Sequence, residues 1–462
     1  MLKCCHKFVS GVLVLVLSTS AIASENDVFS GRYHLLPKLD DASDEVNKIV
    51  LHYVELGVEK ANRIGRENER TKMRTIVESL RDFLGRHFRW QIAGANLKIS
   101  KIDTWGRLIT NADLFSENNA YRTIKYEAPI DRAKICVEDS VYRDFNIGDS
   151  KSLKLASKFH DTMAVLLNIE NLLIGTDKFS HFFNRGVKYF KRRYGIQWTQ
   201  ELTDEEREEY TMDAGEHSEN SAYGVKSTGI ASYADLMANF QGMRFWNDLL
   251  GVGKDVVTKQ EVKNPMVQLK DFLILPTWYQ SRRFEERRLL SDLSPAKIVE
   301  LKKQGWVKTK FWTVAHHEFD IRKYVNVAWD EAYNCSKFLN EKMAKSTQQR
   351  VNEISVAVSR DLLENALTRE TCNNISGGLS NKKGNFETVP AVFKGEPQMY
   401  NCPINLEAVR RLKAEFGDYY PALVNEIGYT FFKQGDLPDG GFLKTLLFGQ
   451  EPSPAEWKKN RL

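Results

Sequence analysis

The stretch "IGTDKFSHFFNRG", Ile174 to Gly186, sets Asp177 and His181 four residues apart among Phe179, Phe182 and Phe183. Residues at that spacing share a helical face. Read as a helix, the stretch presents a carboxylate beside an imidazole on an aromatic-rich element. An acid near an imidazole orients it and raises its basicity, which general acid–base chemistry and metal ligation both use. A structural account competes. Thr176 suits the N-cap, Asp177 complements the positive end of the helix dipole, and His181 packs among the phenylalanines. Lys178 is expected to face solvent or an anionic substrate, because successive helical residues point apart.

A second polar cluster follows downstream. "GEHSENSAYG" (215–224) carries Glu216, His217 and Glu219, and "STGIASYADLMANFQG" (227–242) carries Ser232, Asp235, Asn239 and Gly242. Ser232 and Asp235 read as an S-x-x-D capping box. Asn239, four residues beyond Asp235, needs partners if buried. Gly242 permits a close approach by another backbone or a ligand. The candidate site is therefore Asp177, His181, Glu216 or Glu219, and Asp235, with Asn239 in support. Two chemistries fit it. His181, Asp177 and Asp235 can hold a divalent metal that activates water, or His181 can act directly as a base.

In order, D-K-x-x-H-F, a glutamate and S-x-x-D-x-x-A-N-x-x-G are Asp177, Lys178, His181 and Phe182; Glu216 or Glu219; then Ser232, Asp235, Ala238, Asn239 and Gly242. This set resembles the VanZ-like membrane proteins and the YfiM-like predicted periplasmic lipoproteins, over roughly residues 171–250 only. The resemblance implies a helical unit at the cell envelope in which these polar residues converge. VanZ-like proteins cross the membrane several times. This chain lacks such spans and a lipobox, so a soluble or peripheral version is expected.

The N-terminus supports export. Lys3 and Lys7 flank the apolar run "FVSGVLVLVL" (8–17), and Ala21 and Ala23 form an A-x-A cleavage pattern, so residues 1–24 read as a signal peptide. The alternative is an uncleaved anchor. The formal charge of +5 falls to +3 when Lys3 and Lys7 are removed. No basic run interleaved with aromatics points to nucleic acid. "FKRRYG" (190–195) is a short basic cluster that an exposed helix end explains as well as an anion site does.

Cys136, Cys335, Cys372 and Cys402 remain after cleavage, and none forms C-x-x-C. In an exported chain they suggest disulfides. Cys372 with Cys402 is favoured because it would close a loop-like segment, and Cys136 with Cys335 follows by elimination. The alternative is four free, buried thiols.

The expected fold is mainly α: a multi-helix globular protein with a few short strands in 86–150. Residues 25–255 form a helical domain holding the polar site. Residues 256–370 form a second helical region, and 371–462 a disulfide-closed loop with a C-terminal helical unit. Apolar spacing predicts helices from Val46 to Ile64 and from Met73 to Leu84, where Gly85 is the expected stop. "MAVLLNIENLLIG" (163–175) reads as a core helix. Thr203 with Glu206 forms a capping box, and Ser294–Pro295 opens a helix stopped by Gly305. Among weaker constellations, His316, His317 and Glu318 do not share a helical face. Asp330 and Asn334 share a helical face and offer an addition to the site, but with Glu331 they read first as a solvated face, and His160 beside Asp161 is too sparse to use. P-loop spacing and a G-x-S-x-G elbow are absent.

The functional expectation is an exported, envelope-associated hydrolase acting on a lipid, glycan or peptidoglycan component. The alternative is a non-catalytic structural or binding protein in which the polar cluster joins helices. A catalytic site should open into a cleft and show perturbed ionisation, whereas a structural network should be sealed and fully hydrogen-bonded.

Overall fold

The apolar periodicity near the N-terminus folds as expected. Val46, Ile49, Val50, Tyr53, Val54 and Ala61 form the buried face of α1 (Ser43–Ile64). Ile76, Val77 and Leu80 do the same for α2 (Glu69–Arg81). The chain then runs on through a π turn, Asp82–His87, so Gly85 does not stop it. The computed structural model describes residues 27–29, 39–64, 69–87, 140–142, 166–196, 199–220, 224, 228–275, 287–331, 336–357 and 453–461. It also describes short strands β1 (Lys101–Ile102), β2 (Leu108–Ile109) and β3 (Arg132–Lys134), and two further short strands at Phe386–Thr388 and Thr430–Phe431. The signal-peptide segment, the four cysteines, His160, Asp161 and Asn334 lie outside the described residues.

The described structure is mainly helical, with short strands in 86–150 among its β elements. Two segments depart from expectation. Residues 163–175 were expected as a core helix, but β4 (Leu166–Ile169) and β5 (Leu172–Gly175) form an antiparallel hairpin, with Leu166 opposite Gly175 and Ile169 opposite Leu172. Glu170 and Asn171 both take positive φ, 50° and 64°, as a two-residue hairpin turn requires. The Asn168 side chain accepts the Asn171 N–H at 2.9 Å and closes the turn. A short apolar run buried on both faces has no period that separates strand from helix.

Residues 256–370, expected to be helical, also hold a three-stranded antiparallel sheet in the order β8–β7–β9. Its strands are β7 (Val267–Ile274), β8 (Arg287–Leu289) and β9 (Val307–Val314). Val267 pairs with Val314 and Ile274 with Val307. "VKTKFWTV" is rich in β-branched and aromatic residues, which favours a strand. Ser294 caps the helix that follows β8, Pro295–Lys303, and Gly305 at φ 90° ends it, as expected.

The central unit positions the site. From β5 the chain enters a rod built of α3 (Thr176–Ser180), a π turn (His181–Arg185) and α4 (Gly186–Arg193). Its N-cap is Gly175, not Thr176, and makes no side-chain cap bond. The next helix, α5 (Asp204–Ser218), starts with the complete Thr203–Glu206 capping box. After β6 (Ile230–Ala231), α6 (Tyr233–Leu250) begins with the Ser232 hydroxyl accepting the Asp235 N–H and ends at Gly251 in the left-handed region.

The rod and α6 meet at two glycines. A Cβ on Gly186 would stand 2.6 Å from the Gly242 Cα, and one on Gly242 would overlap the Phe182 carbonyl oxygen. The close approach expected at Gly242 is made by backbone. Trp246 Nε1 donates to the Phe183 carbonyl at 3.1 Å and ties α6 to the π turn. Around this crossing, Phe179, Phe182, Phe183, Phe190, Phe245, Trp246 and Trp329 fill one apolar core, which Val267 and Trp312 of the sheet also join.

Candidate functional site

The short first turns of two helices bring the polar residues together. The rod supplies Asp177, Lys178 and His181, and the start of α6 supplies Ser232, Asp235 and Asn239. Glu219 follows α5, and Glu331 comes from the segment after a 3-10 turn at Val327–Trp329. All eight side chains are buried.

Lys178 is the centre of one half. It was expected to face solvent, yet it is fully buried. Its Nζ lies 2.7 Å from Asp177 Oδ2, 2.7 Å from Asp235 Oδ1 and 2.6 Å from Glu331 Oε1. Successive helical Cβ atoms do diverge, but the four-carbon lysine stem is long enough to bring the ammonium back to its neighbour's carboxylate. Ser232 Oγ donates to Glu331 Oε1 at 2.9 Å, and the Tyr142 hydroxyl approaches Glu331 Oε2 at 3.4 Å.

His181 is the centre of the other half. Its Nδ1 faces Asn239 Oδ1 at 3.1 Å, and its Nε2 faces Asp235 Oδ2 at 3.1 Å. The residues that orient the ring thus come from α6, not from Asp177 one turn away. An amide oxygen only accepts, so with a neutral ring Nδ1 carries the proton, and the Nε2 lone pair facing Asp235 Oδ2 calls for a proton on that carboxyl or a cation between the two. Glu219 Oε1 accepts the Ser232 N–H at 3.3 Å. Glu219 is therefore the glutamate of the site. Glu216, the other candidate, sits half-buried one turn earlier and belongs to neither cluster.

Burial dominates the ionisation. It pushes the His181 imidazole down to about 3, helped by the Lys178 and Arg185 charges and opposed by Asp177 and the Asn239 bond. The ring is neutral at pH 7. Glu219 is held well above the usual carboxylate range by burial and by the Asp235 charge. Asp235 is raised by burial against the pull of Lys178. Glu331 rises to about 7 for the same reason. Three buried carboxylates, Asp177, Asp235 and Glu331, share the buried Lys178 ammonium, and a fourth, Glu219, is buried beside Asp235. Such an excess is relieved by protons or by a further cation.

Two groups have donor atoms within 4.8 Å of one another: Asp177–Asp235–Glu331 and His181–Glu219–Asp235. The Lys178 ammonium occupies the first. The second shares only Asp235 with it, and the Arg185 charge acts on all three of its members. It also borders a small cavity, about 10 Å³, lined by His181, Glu219, Asn239, Arg185, Lys188, Tyr189 and Arg192. That volume is the scale of a single water or ion.

Glu331 was noted in the sequence only as part of a solvated face. Its setting beside Trp329 in "VNVAWDEA" was a faint sign of burial. Of the weaker constellations, His316 Nε2 lies 3.1 Å from the Asn264 carbonyl and His317 Nδ1 lies 3.5 Å from Glu55 on the surface. They join neither cluster. A larger cavity of about 250 Å³, lined by Asp248, Phe319 and Tyr324 among others, contains no residue of the polar site.

Among the described residues no helix is long and apolar enough to cross a membrane. No protein-family model, no curated protein and no solved structure matches the chain.

Proposed function

We propose that the protein is an exported, envelope-associated hydrolase whose reaction centre is a divalent-cation site formed by His181, Glu219 and Asp235. One observation carries this reading: of two neighbouring carboxylate clusters, one already holds an ammonium, while the other combines a neutral imidazole with two carboxylates at the wall of a cavity. A neutral histidine with an unprotonated Nε2 is a ligand, and its low proton affinity makes it a poor base. This favours the metal over direct base catalysis.

The donor set fits. Ligands of a four-coordinate ion stand about 2.0–2.2 Å from it, so donor atoms already within 4.8 Å of one another need only small side-chain rotations to converge. Nitrogen with oxygen donors suits zinc or manganese. Each ligand has an outer partner that fixes it: Asn239 for His181, Lys178 for Asp235 and the Ser232 N–H for Glu219. A bound ion would supply Lewis acidity and a water acidic enough to attack near neutral pH. The envelope location is supported by the signal-peptide pattern and the VanZ-like and YfiM-like motif order.

Metal analysis of the purified chain is the test. The expected result is one ion per chain, lost in His181→Ala and Glu219→Gln without a matching fall in melting temperature. Asn239→Ala should weaken metal affinity by about 10–100-fold, the size of effect that loss of an outer hydrogen-bond partner produces. A metal-free parent, with His181→Ala strongly destabilised, would establish the cluster as a structural network instead.

A further inference from the structure

The larger cavity, about 250 Å³, lies by the last turns of α6, away from the polar cluster at the start of that helix. Phe245 and Leu249 of α6, with Phe319 and Tyr324, form its apolar wall. The Phe245 and Tyr324 rings cross at 89° with centroids 5.8 Å apart, and Phe319 stands 5.4 Å from Phe245. Asp248, half-buried, interrupts this wall. Its Oδ2 accepts the Tyr324 hydroxyl at 2.8 Å, and among the described residues the carboxylate has no other hydrogen bond and no ion-pair partner. Arg244, one turn earlier on the same helix, is turned to Asp255 instead, through Nε at 2.9 Å and Nη2 at 3.4 Å. Burial, with the Asp255 charge, raises the Asp248 carboxyl against the pull of the Tyr324 bond and of the Arg244 and Lys323 charges. The other charges around the cavity are answered locally. Asp320 is bonded by Arg322 and Asn47, and Glu318 and Lys323 are both exposed and opposite in sign. His316 accepts the Glu318 N–H at Nδ1 and donates from Nε2 to the Asn264 carbonyl, which makes its ring neutral.

We propose that this cavity binds a small organic ammonium ion, its charged nitrogen on Asp248 and its hydrocarbon body against Phe245, Phe319 and Tyr324. A carboxylate drawn part-way out of water with one neutral hydrogen bond is under-compensated. An ammonium N–H gives it a charge-assisted bond. Aromatic faces attract the same charge and cover the apolar body. Other ligands fit less well. An anion would meet Asp248 and Glu318, and an uncharged apolar molecule would leave Asp248 buried without a partner. A metal ion needs converging donors, and the acids and His316 around this cavity do not form a group within 4.8 Å, as the two clusters sharing Asp235 do. At about 30 Å³ per water, the volume takes roughly eight non-hydrogen atoms, so the cation is small. The inference does not depend on the His181 cluster holding a metal.

The test is a ligand-observed NMR titration of the full chain at neutral pH with benzylammonium chloride. Benzyl alcohol, of the same shape without the charge, and benzoate, of opposite charge, are titrated beside it. Benzylammonium should bind one per chain, benzyl alcohol at least about ten-fold more weakly, the equivalent of one charge-assisted hydrogen bond, and benzoate not measurably. Asp248→Asn keeps an acceptor oxygen for the Tyr324 hydroxyl and should abolish the preference for the cation. Phe319→Leu should weaken the ammonium and the alcohol alike. Equal affinity of the parent chain for the ammonium and the alcohol, which marks an adventitious apolar cavity only, overturns the proposal, and this comparison needs no variant to fold. No binding of benzylammonium at millimolar concentration overturns it too, as does a folded Asp248→Asn chain that keeps the parental preference. His181→Ala should leave benzylammonium affinity unchanged, and Asp248→Asn should leave the metal content unchanged, so this site and the metal reading stand or fall separately.

Discussion

Lys178→Met should lower the unfolding free energy by about 3–5 kcal/mol, the cost of breaking a buried ion pair by removing one partner. Methionine preserves most of the side-chain volume, so packing is nearly constant and the change is mainly one of charge. In the parent, three carboxylates lie 2.6–2.7 Å from one ammonium with no more than 5% of any of the four side chains exposed. Without it, Asp177, Asp235 and Glu331 repel one another in a medium that screens them poorly. Denaturant unfolding at pH 7 measures the loss. Adding Glu331→Gln to Lys178→Met should restore part of it, because one of the stranded charges disappears. A loss below about 1 kcal/mol, the level of exposed ion pairs, would show that Lys178 is not the counter-charge of the cluster.

Gly242→Ala should cost about 3 kcal/mol, the upper end for overpacking, despite alanine's better helix propensity of about 1 kcal/mol. The added methyl meets backbone, the Phe182 carbonyl and the Gly186 Cα, rather than a flexible side chain. Relief requires the rod to move away from α6. That motion also parts His181 on the rod from Asn239 and Asp235 on α6, both now 3.1 Å away. Stability and metal affinity should therefore fall together in Gly242→Ala, whereas His181→Ala should lose metal with little change in stability. An alanine variant with a parental melting temperature would contradict the close crossing.

Much of the candidate site was legible. Asp177, His181, Asp235 and Asn239 were identified by four-residue spacing and by the order of the two motifs, and the structure buries all four in one network. The Thr203–Glu206 and Ser232 caps were legible because each hydrogen bond spans only three residues. Gly242 was legible as a point of close approach. Missed were the solvent-shunning Lys178, the role of Glu331 and the hairpin at 166–175. The hairpin was missed because a short buried apolar run carries no usable period.

By itself the sequence determined what short-range physics controls: helix starts, the glycine that admits a neighbouring backbone, and which polar residues share a helical face. Only the tertiary structure decided which of those residues meet. The Lys178–Glu331 pair joins positions 153 residues apart and the His181–Asn239 pair positions 58 apart. The choice of Glu219 over Glu216 and the meeting of Lys178 with Asp235 and Glu331 are tertiary too. The crossing of the rod and α6 is set by packing across the whole core, where the energy of a contact depends on distance in space and hardly at all on distance along the chain.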